Sequence, residues 1–84
     1  MNGRLIIDFG AEEGAVIRIV GLVERRGFEL RGIAMSGDGP RASLTLDVTA
    51  RDAGRRLDVL DLQLRRLTGV SQVSVFPQSM GASQ

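Results

Sequence analysis

Apolar and polar residues alternate along several stretches of the chain. The clearest stretch runs from Ala42 to Val48, where every second residue is apolar and the residues between them are Ser, Thr and Asp. A period of two predicts a strand with one buried face and one solvent-exposed face. Three further strands are predicted over residues 4–9, 28–36 and 72–76. The turn sequence Gly-Asp-Gly-Pro at residues 37–40 indicates that the second and third strands form an antiparallel hairpin.

The first helix is predicted over residues 14–26, between the first two strands. Its apolar residues recur at i, i+3, i+4 and i+7 and therefore form a single stripe. The stripe consists of Val16, Ile19, Val20 and Val23. Gly27 follows the last turn and is suited to end the helix. We expect the stripe to pack on the sheet.

The second helix is predicted over residues 53–67, with Thr49 or Asp52 as its N-cap. Leucines recur in it at i, i+3, i+7 and i+10, which again makes one apolar face. These residues are Leu57, Leu60, Leu64 and Leu67. Val59 and Leu62 are expected to widen the same face.

The element order strand-helix-strand-strand-helix-strand predicts an α+β fold of the ferredoxin-like βαββαβ type. Right-handed crossovers then give a four-stranded antiparallel sheet with both helices on one face. Within the 84 residues, residues 1–76 are predicted to form this single domain and residues 77–84 a flexible C-terminal tail. The second face of the sheet and its edges are left uncovered, and such edges are often used for pairing.

The composition removes several classes of function. The chain has no Cys, His, Lys, Trp or Tyr. It therefore lacks the residues of a zinc finger, a Cys nucleophile or a Ser-His triad. Eleven arginines face ten Asp and Glu residues, for a formal net charge of +1, and no carboxylates are grouped with a nucleophile and a base. We expect no catalytic residue, no metal site and no cofactor on this chain.

Nucleic-acid and membrane partners are also unexpected. The aromatic residues are Phe9, Phe28 and Phe76, so the central strands offer no aromatic platform on which RNA bases would stack. No apolar run approaches the roughly 20 residues that span a bilayer, and no secretory signal pattern is present. The sequence therefore predicts a cytoplasmic protein that binds neither nucleic acid nor membrane.

The feature that points to a ligand is a glycine-containing turn at residues 10–14, here called the glycine turn. It lies between the first strand and the first helix, so free backbone N–H groups at the helix start can receive a carboxylate. An amino-acid effector would bring one. The alternative interpretation is that Gly10 and Gly14 only permit a tight connection.

Two segments of the chain resemble the ACT domain. The first is Gly14 to Val23 followed by Arg26-Gly27-Phe28-Glu29-Leu30, and it resembles more narrowly the small regulatory subunit of acetohydroxyacid synthase (acetolactate synthase). The family pattern there is Gly-Ala, a hydrophobic helix with an early Arg, then Arg-Gly-aromatic-x-aliphatic. The second segment, residues 63–75, looks like the family's Gln-Leu-basic-basic-Leu helix end followed by Val-x-x-Val. The likeness extends from about Arg4 to Phe76.

This resemblance implies a non-catalytic partner of an enzyme. Members of the family form homodimers with their sheets side by side and activate a large catalytic subunit that carries thiamine diphosphate and a divalent metal. That enzyme condenses pyruvate in branched-chain amino-acid biosynthesis. In feedback-sensitive relatives, valine lies at the dimer interface against the glycine turn and the second strand.

Carrying the family positions over gives two sets of candidate residues. The candidate effector-binding residues are Gly10, Ala11, Gly14, Ala15 and Glu29. The candidate residues of the dimer or partner interface are Ile6, Glu29, Arg31, Ile33 and Met35, with Ile6, Ile33 and Met35 expected on the open face and edge of the sheet.

The chain departs from valine-responsive relatives at two of these positions. Those relatives typically carry Asn where this chain has Ala11 and Glu29. An alanine offers no side-chain hydrogen bond to an effector, and a glutamate repels its carboxylate. We therefore expect activation with weak or no valine feedback. The alternative is a free-standing amino-acid-binding ACT module that regulates another enzyme or a transcription factor.

Overall fold

The strands and helices follow one another in the order that the sequence predicts. The computed structural model describes residues 2–37 and 39–78. Their elements are β1 (Asn2–Gly10), α1 (Ala15–Arg25), β2 (Phe28–Ser36), β3 (Arg41–Ala50), α2 (Leu57–Arg65) and β4 (Val70–Gln78).

The strands form one antiparallel sheet in the order β2-β3-β1-β4. The central pair, β1 and β3, is in register from Asn2 opposite Thr49 to Gly10 opposite Arg41. β2 and β4 are the two edge strands. This arrangement confirms the predicted ferredoxin-like fold.

The core lies between the helices and one face of the sheet. The alternating apolar residues of β1 and β3 are buried as predicted, and each fully buried side chain of this size stabilises the fold by about 1.5–3 kcal/mol. Leu5, Ile7, Phe9, Leu44, Leu46 and Val48 make up this sheet layer. From the helices, Ala15, Ile19, Leu22 and Val23 of α1 and Leu57, Leu60 and Leu64 of α2 cover it. Neither helix, within the described part of the chain, is long and apolar enough to cross a membrane.

The helix faces differ from the prediction at their margins. Val16 and Val20 are only half-buried, because the buried stripe of α1 is centred on the side that carries Leu22. Val59 and Leu62 do not widen the buried face of α2: they are 46% and 58% exposed. Their positions on the helix point away from the sheet, and the part of the chain that the structure describes supplies no further layer there.

The start of α2 is also later than predicted, and neither Thr49 nor Asp52 is its N-cap. Arg56 occupies that position with an extended backbone and no side-chain cap. The Asp52 carboxylate accepts instead from the Gly54 N–H at 3.0 Å, and the Arg55 N–H donates to the Asp52 carbonyl at 3.2 Å. Asp52 thus closes a turn before the helix, because its side chain competes for local backbone donors.

β4 runs from Val70 to Gln78 and so extends by two residues at each end beyond the predicted residues 72–76. Pro77 lies opposite Gly3 and Gln78 opposite Asn2. A proline is tolerated here because β4 is an edge strand, where a missing N–H need not interrupt the ladder. Residues 79–84 of the predicted tail lie outside the described residues.

A β-bulge in β2 reverses the faces of its second half. Leu30 lies opposite Val48, but Gly32 rather than Arg31 lies opposite Asp47. Ile33 and Met35 consequently lie opposite Leu46 and Leu44, whose side chains face the helices, and directly opposed residues share a face.

Candidate functional site

The glycine turn is fixed to both neighbouring loops by backbone hydrogen bonds. The Gly10 N–H donates to the Gly69 carbonyl at 2.9 Å, and the Ala11 N–H donates to the Pro40 carbonyl at 2.8 Å. The turn therefore lies beside the start of β4 on one side and the β2–β3 hairpin on the other. Its position is set by the ends of three strands.

The start of α1 offers backbone donors at this turn. Gly14 is the N-cap residue in the left-handed conformation, with φ of 83°, and no side chain caps the helix. The Ala15 N–H donates to the Glu12 carbonyl at 3.1 Å. No acidic residue lies in the first turn of α1, so the partial positive charge of the helix start is not neutralised within it. An incoming carboxylate is the natural partner of such a helix start.

Arg18 adds a cation to the turn. A Cβ on Gly14 would lie 3.4 Å from Arg18 Nη1, so the guanidinium reaches back over the turn. Arg18 Nη2 is 4.0 Å from Glu12 Oε2, a loose contact between two exposed side chains. Arg18 is not among the effector-binding residues that the sequence predicts. Its position four residues after Gly14 was the available signal, since long side chains on a helix point back toward the N-terminus.

The candidate effector residues do not all come together in one copy of the chain. Gly10, Ala11, Gly14 and Ala15 lie at one end of the sheet, where Gly10 is opposite Arg41. Glu29 lies opposite Thr49, near the other end. Arg41 and Thr49 are eight residues apart on β3, so the two parts are separated by about 26 Å at 3.3 Å per residue.

The candidate interface residues occupy two sides of the sheet. Ile6 is half-buried on the open face of the inner strand β1, between Thr45 and Ser74. Glu29 and Arg31 lie on the open side of the edge strand β2, with 3.4 Å between Arg31 Nη1 and Glu29 Oε1.

Ile33 and Met35 lie at the edge of the sheet, as expected, but not on its open face. The bulge turns both to the helix side, where they are 53% and 58% exposed at the edge of the sheet. They remain exposed because α1 leaves this part of β2 uncovered.

The open face itself is mainly polar. At its centre Arg4 donates to both carboxylate oxygens of Asp47, from Nε at 2.8 Å and from Nη2 at 3.3 Å. The hydrogen bond from Arg4 lowers the pKa of the Asp47 carboxyl below its usual value of 3.8, against a smaller opposing effect of burial. Phe76, opposite Arg4, is the large exposed apolar residue on this face in the described part of the chain. The other large exposed apolar residues lie on the helix side: Ile17, Ile33, Met35, Val59 and Leu62.

Within residues 2–37 and 39–78, no group of three or more Asp and Glu residues is placed to hold a metal ion.

Solved structures from several proteins share this fold. The ACT domain of GTP pyrophosphokinase from Chlorobium tepidum superposes with a TM-score of 0.76 at 18% identity, covering 90% of this chain and 97% of that one. An ACT domain protein from Streptococcus pneumoniae gives 0.73 at 12% identity, covering 89% and 86%. A formyltetrahydrofolate deformylase from Pseudomonas putida KT2440 gives 0.77 at 10% identity, with 93% of this chain on 29% of that one.

Sequence comparison identifies the family. No curated protein sequence matches the chain significantly. The family model of the ACT domain matches residues 11–73, which include residues 11–14 of the glycine turn, both helices and the β2–β3 hairpin. The chain therefore belongs to the ACT domain family of small amino-acid-binding regulatory modules.

Proposed function

We propose that this ACT domain is the non-catalytic regulatory subunit of an acetolactate synthase, which it activates in branched-chain amino-acid biosynthesis. The observation that carries the proposal is the sequence pattern of residues 14–30 and 63–75. In the fold the first segment spans all of α1 and the first residues of β2. The second spans the last turn of α2, the connection that follows and most of β4.

The subunit works as a homodimer in this proposal. β2 is an edge strand with unpaired backbone groups, which favours pairing with a second copy. Antiparallel pairing of two β2 strands would lay the Glu29 end of one copy beside the Ser36 end of the other, and hence near the other copy's glycine turn. It would bring the two separated parts of the candidate effector site together across the interface. Ile33 and Met35 would meet their counterparts on the helix side.

Valine feedback is weak or absent in the proposed subunit. Ala11 contributes no side-chain hydrogen bond, and Glu29 brings a carboxylate toward that of the effector. A missing polar contact of this kind costs about 1–3 kcal/mol of binding free energy. Arg18 and the N–H groups at the start of α1 would still attract a carboxylate, so residual weak binding is expected.

Catalysis belongs to the partner. Thiamine diphosphate and a divalent metal are held by the large subunit, and this chain carries neither. A regulatory subunit raises activity by binding one conformation of the catalytic subunit better than another. The partner is therefore expected to bind the dimer without any chemical group from this chain entering its active site.

The proposal is tested by co-purification with the large acetolactate synthase subunit from the same genome. Acetolactate formation is measured with and without this chain, and with millimolar valine. We expect a stable complex, a several-fold higher rate, and little inhibition. An unchanged rate and no complex would contradict the proposal, and strong valine inhibition would contradict its second half.

The alternative is a free-standing ACT module serving another enzyme or a transcription factor. The same fold occurs in proteins as different as a GTP pyrophosphokinase and a formyltetrahydrofolate deformylase, which supports this alternative. Tight binding of an amino acid by the isolated protein, without a complex with the large subunit, would support this alternative.

A further inference from the structure

Several arginines gather at the end of the molecule opposite the glycine turn. Arg25 and Arg26 end α1, and the Arg51 N–H donates to the Gly27 carbonyl at 2.9 Å. The Arg55 side chain packs directly against Gly27, where a Cβ would clash with it. Arginines of two connections, α1–β2 and β3–α2, thus meet at Gly27.

A small cavity opens within this group of arginines. It has a volume of about 150 Å³ and is here called the basic cavity. Its lining consists of Arg26, Phe28, Gly54, Arg55, Arg56, Val59 and Leu60. Phe28 and Leu60 are each 1% exposed and supply an apolar floor, while Val59 is 46% exposed at the wall. Three of these lining residues are arginines, and none of them is acidic.

The positive charge of the lining is only partly neutralised from outside it. Arg26 Nη2 donates to the neutral Gln63 Oε1 at 3.2 Å and makes no ion pair with a residue that the structure describes. Arg55 lies 3.5 Å from an Asp52 carboxylate oxygen, a loose pair between exposed side chains. Arg56 is paired more closely, with 2.7 Å to Asp58. Both carboxylates lie outside the lining, and Arg56 uses both Nε and Nη2 to bond Asp58, so Arg26 and Arg55 are the less neutralised arginines of the cavity.

We propose that the basic cavity binds a small organic anion, a carboxylate or phosphate group on a short apolar body. Guanidinium groups hydrogen-bond planar and tetrahedral anions through paired donors. The apolar floor accommodates a few methyl or methylene groups. The volume is below the roughly 300–1,000 Å³ of sites for drug-sized ligands, so the ligand has only a handful of non-hydrogen atoms. The site is separate from the effector turn and independent of the proposed catalytic partner.

The test is a titration of the ¹⁵N-labelled chain followed by NMR at constant ionic strength. The probes are inorganic phosphate, isobutyrate and the neutral isostere isobutyramide. We expect isobutyrate to shift the amide signals of residues 26–28 and 54–60, with a dissociation constant on the order of 1 mM. Isobutyramide should leave them unchanged, because it carries no charge. Tighter binding of phosphate than of isobutyrate would identify a phosphate-bearing ligand, and the reverse order a carboxylate.

Matched arginine variants separate the cavity from general attraction of anions. Arg26→Gln and Arg56→Gln should each weaken isobutyrate binding by about fivefold or more, in line with the loss of a hydrogen bond to a charged group. Arg66→Gln is the control, since Arg66 is exposed at the other end of α2 and its side chain has no bonded partner in the described residues. Equal weakening by Arg66→Gln, an equal response to isobutyramide, or shifts spread over all arginines would overturn the proposal.

Discussion

Gly32 lies opposite Asp47 on the open face, and a Cβ at Gly32 would be only 3.2 Å from Asp47 Oδ2. Arg31 precedes this position as the extra residue of the bulge. The bulge therefore keeps Asp47 free to pair with Arg4 and turns Ile33 to the opposite side of the sheet. One inserted residue decides which surface of β2 is apolar.

The side on which Ile33 lies can be tested through the proposed dimer. Ile33→Asp is expected to convert the dimer to a monomer, because two carboxylates would meet on the helix side of the paired β2 strands. Ala34→Asp is the matched control on the open side of the same strand. Multi-angle light scattering after size exclusion measures the mass, and circular dichroism checks the fold. Loss of the dimer with Ala34→Asp alone would place the contact on the open face instead.

Valine sensitivity should be gained by restoring amides at two positions. The double variant Ala11→Asn and Glu29→Asn is expected to bind valine at least about tenfold more tightly, since one recovered polar contact is worth about 1–3 kcal/mol. Isothermal titration calorimetry measures the affinity. Ala53→Asn with Glu24→Asn makes the same chemical changes at exposed positions elsewhere. An unaltered affinity in the first double variant would remove Ala11 and Glu29 from the effector site.

Acid should weaken the fold through Asp47. Because Arg4 lowers the pKa of Asp47 in the folded state, the stability from this pair is complete above the unfolded value near 3.8 and is lost as the pH falls through the lower folded value. We expect Asp47→Asn to be less stable than wild type near pH 7, and the difference to shrink as the pH falls below the unfolded value near 3.8. Urea unfolding across this range measures the difference. Glu13→Gln, which changes an exposed side chain with no ion pair in the described residues, should leave the profile unchanged.

Two glycines with similar backbones should differ in their tolerance of alanine. Gly69 has φ of 91° with no atom near its would-be Cβ, so Gly69→Ala should cost about 1–2 kcal/mol from backbone strain alone. Gly37 has φ of 108°, and its Cβ would lie 2.9 Å from the Arg41 carbonyl oxygen. Gly37→Ala should cost roughly 1–3 kcal/mol more, because backbone must move. Urea unfolding measures the free energy of unfolding of both variants. Equal decreases would mean that the β2–β3 hairpin shifts freely to accommodate the new Cβ.

The elements whose burial follows a local period were predictable. β3 alternates strictly, and the leucines at positions 57, 60 and 64 keep helical spacing, so both buried faces follow from the sequence. The margins were not predictable, since Val59 and Leu62 differ from buried residues only in lacking a neighbouring layer. For the candidate site, the sequence predicted the glycine turn. It did not predict the contribution of Arg18, because that depends on how the Arg18 side chain lies over Gly14.

The order of strands and helices, the helix-facing residues of the central strands and the family likeness were determined by the sequence alone, because they depend on local period and short motifs. Tertiary structure decided the rest. The bulge at Arg31 is set by pairing with β3 rather than by the composition of β2, and it reversed the faces of Ile33 and Met35. Pairing across the sheet likewise placed Glu29 at the far end from the glycine turn. The basic cavity exists because connections distant in sequence meet at Gly27.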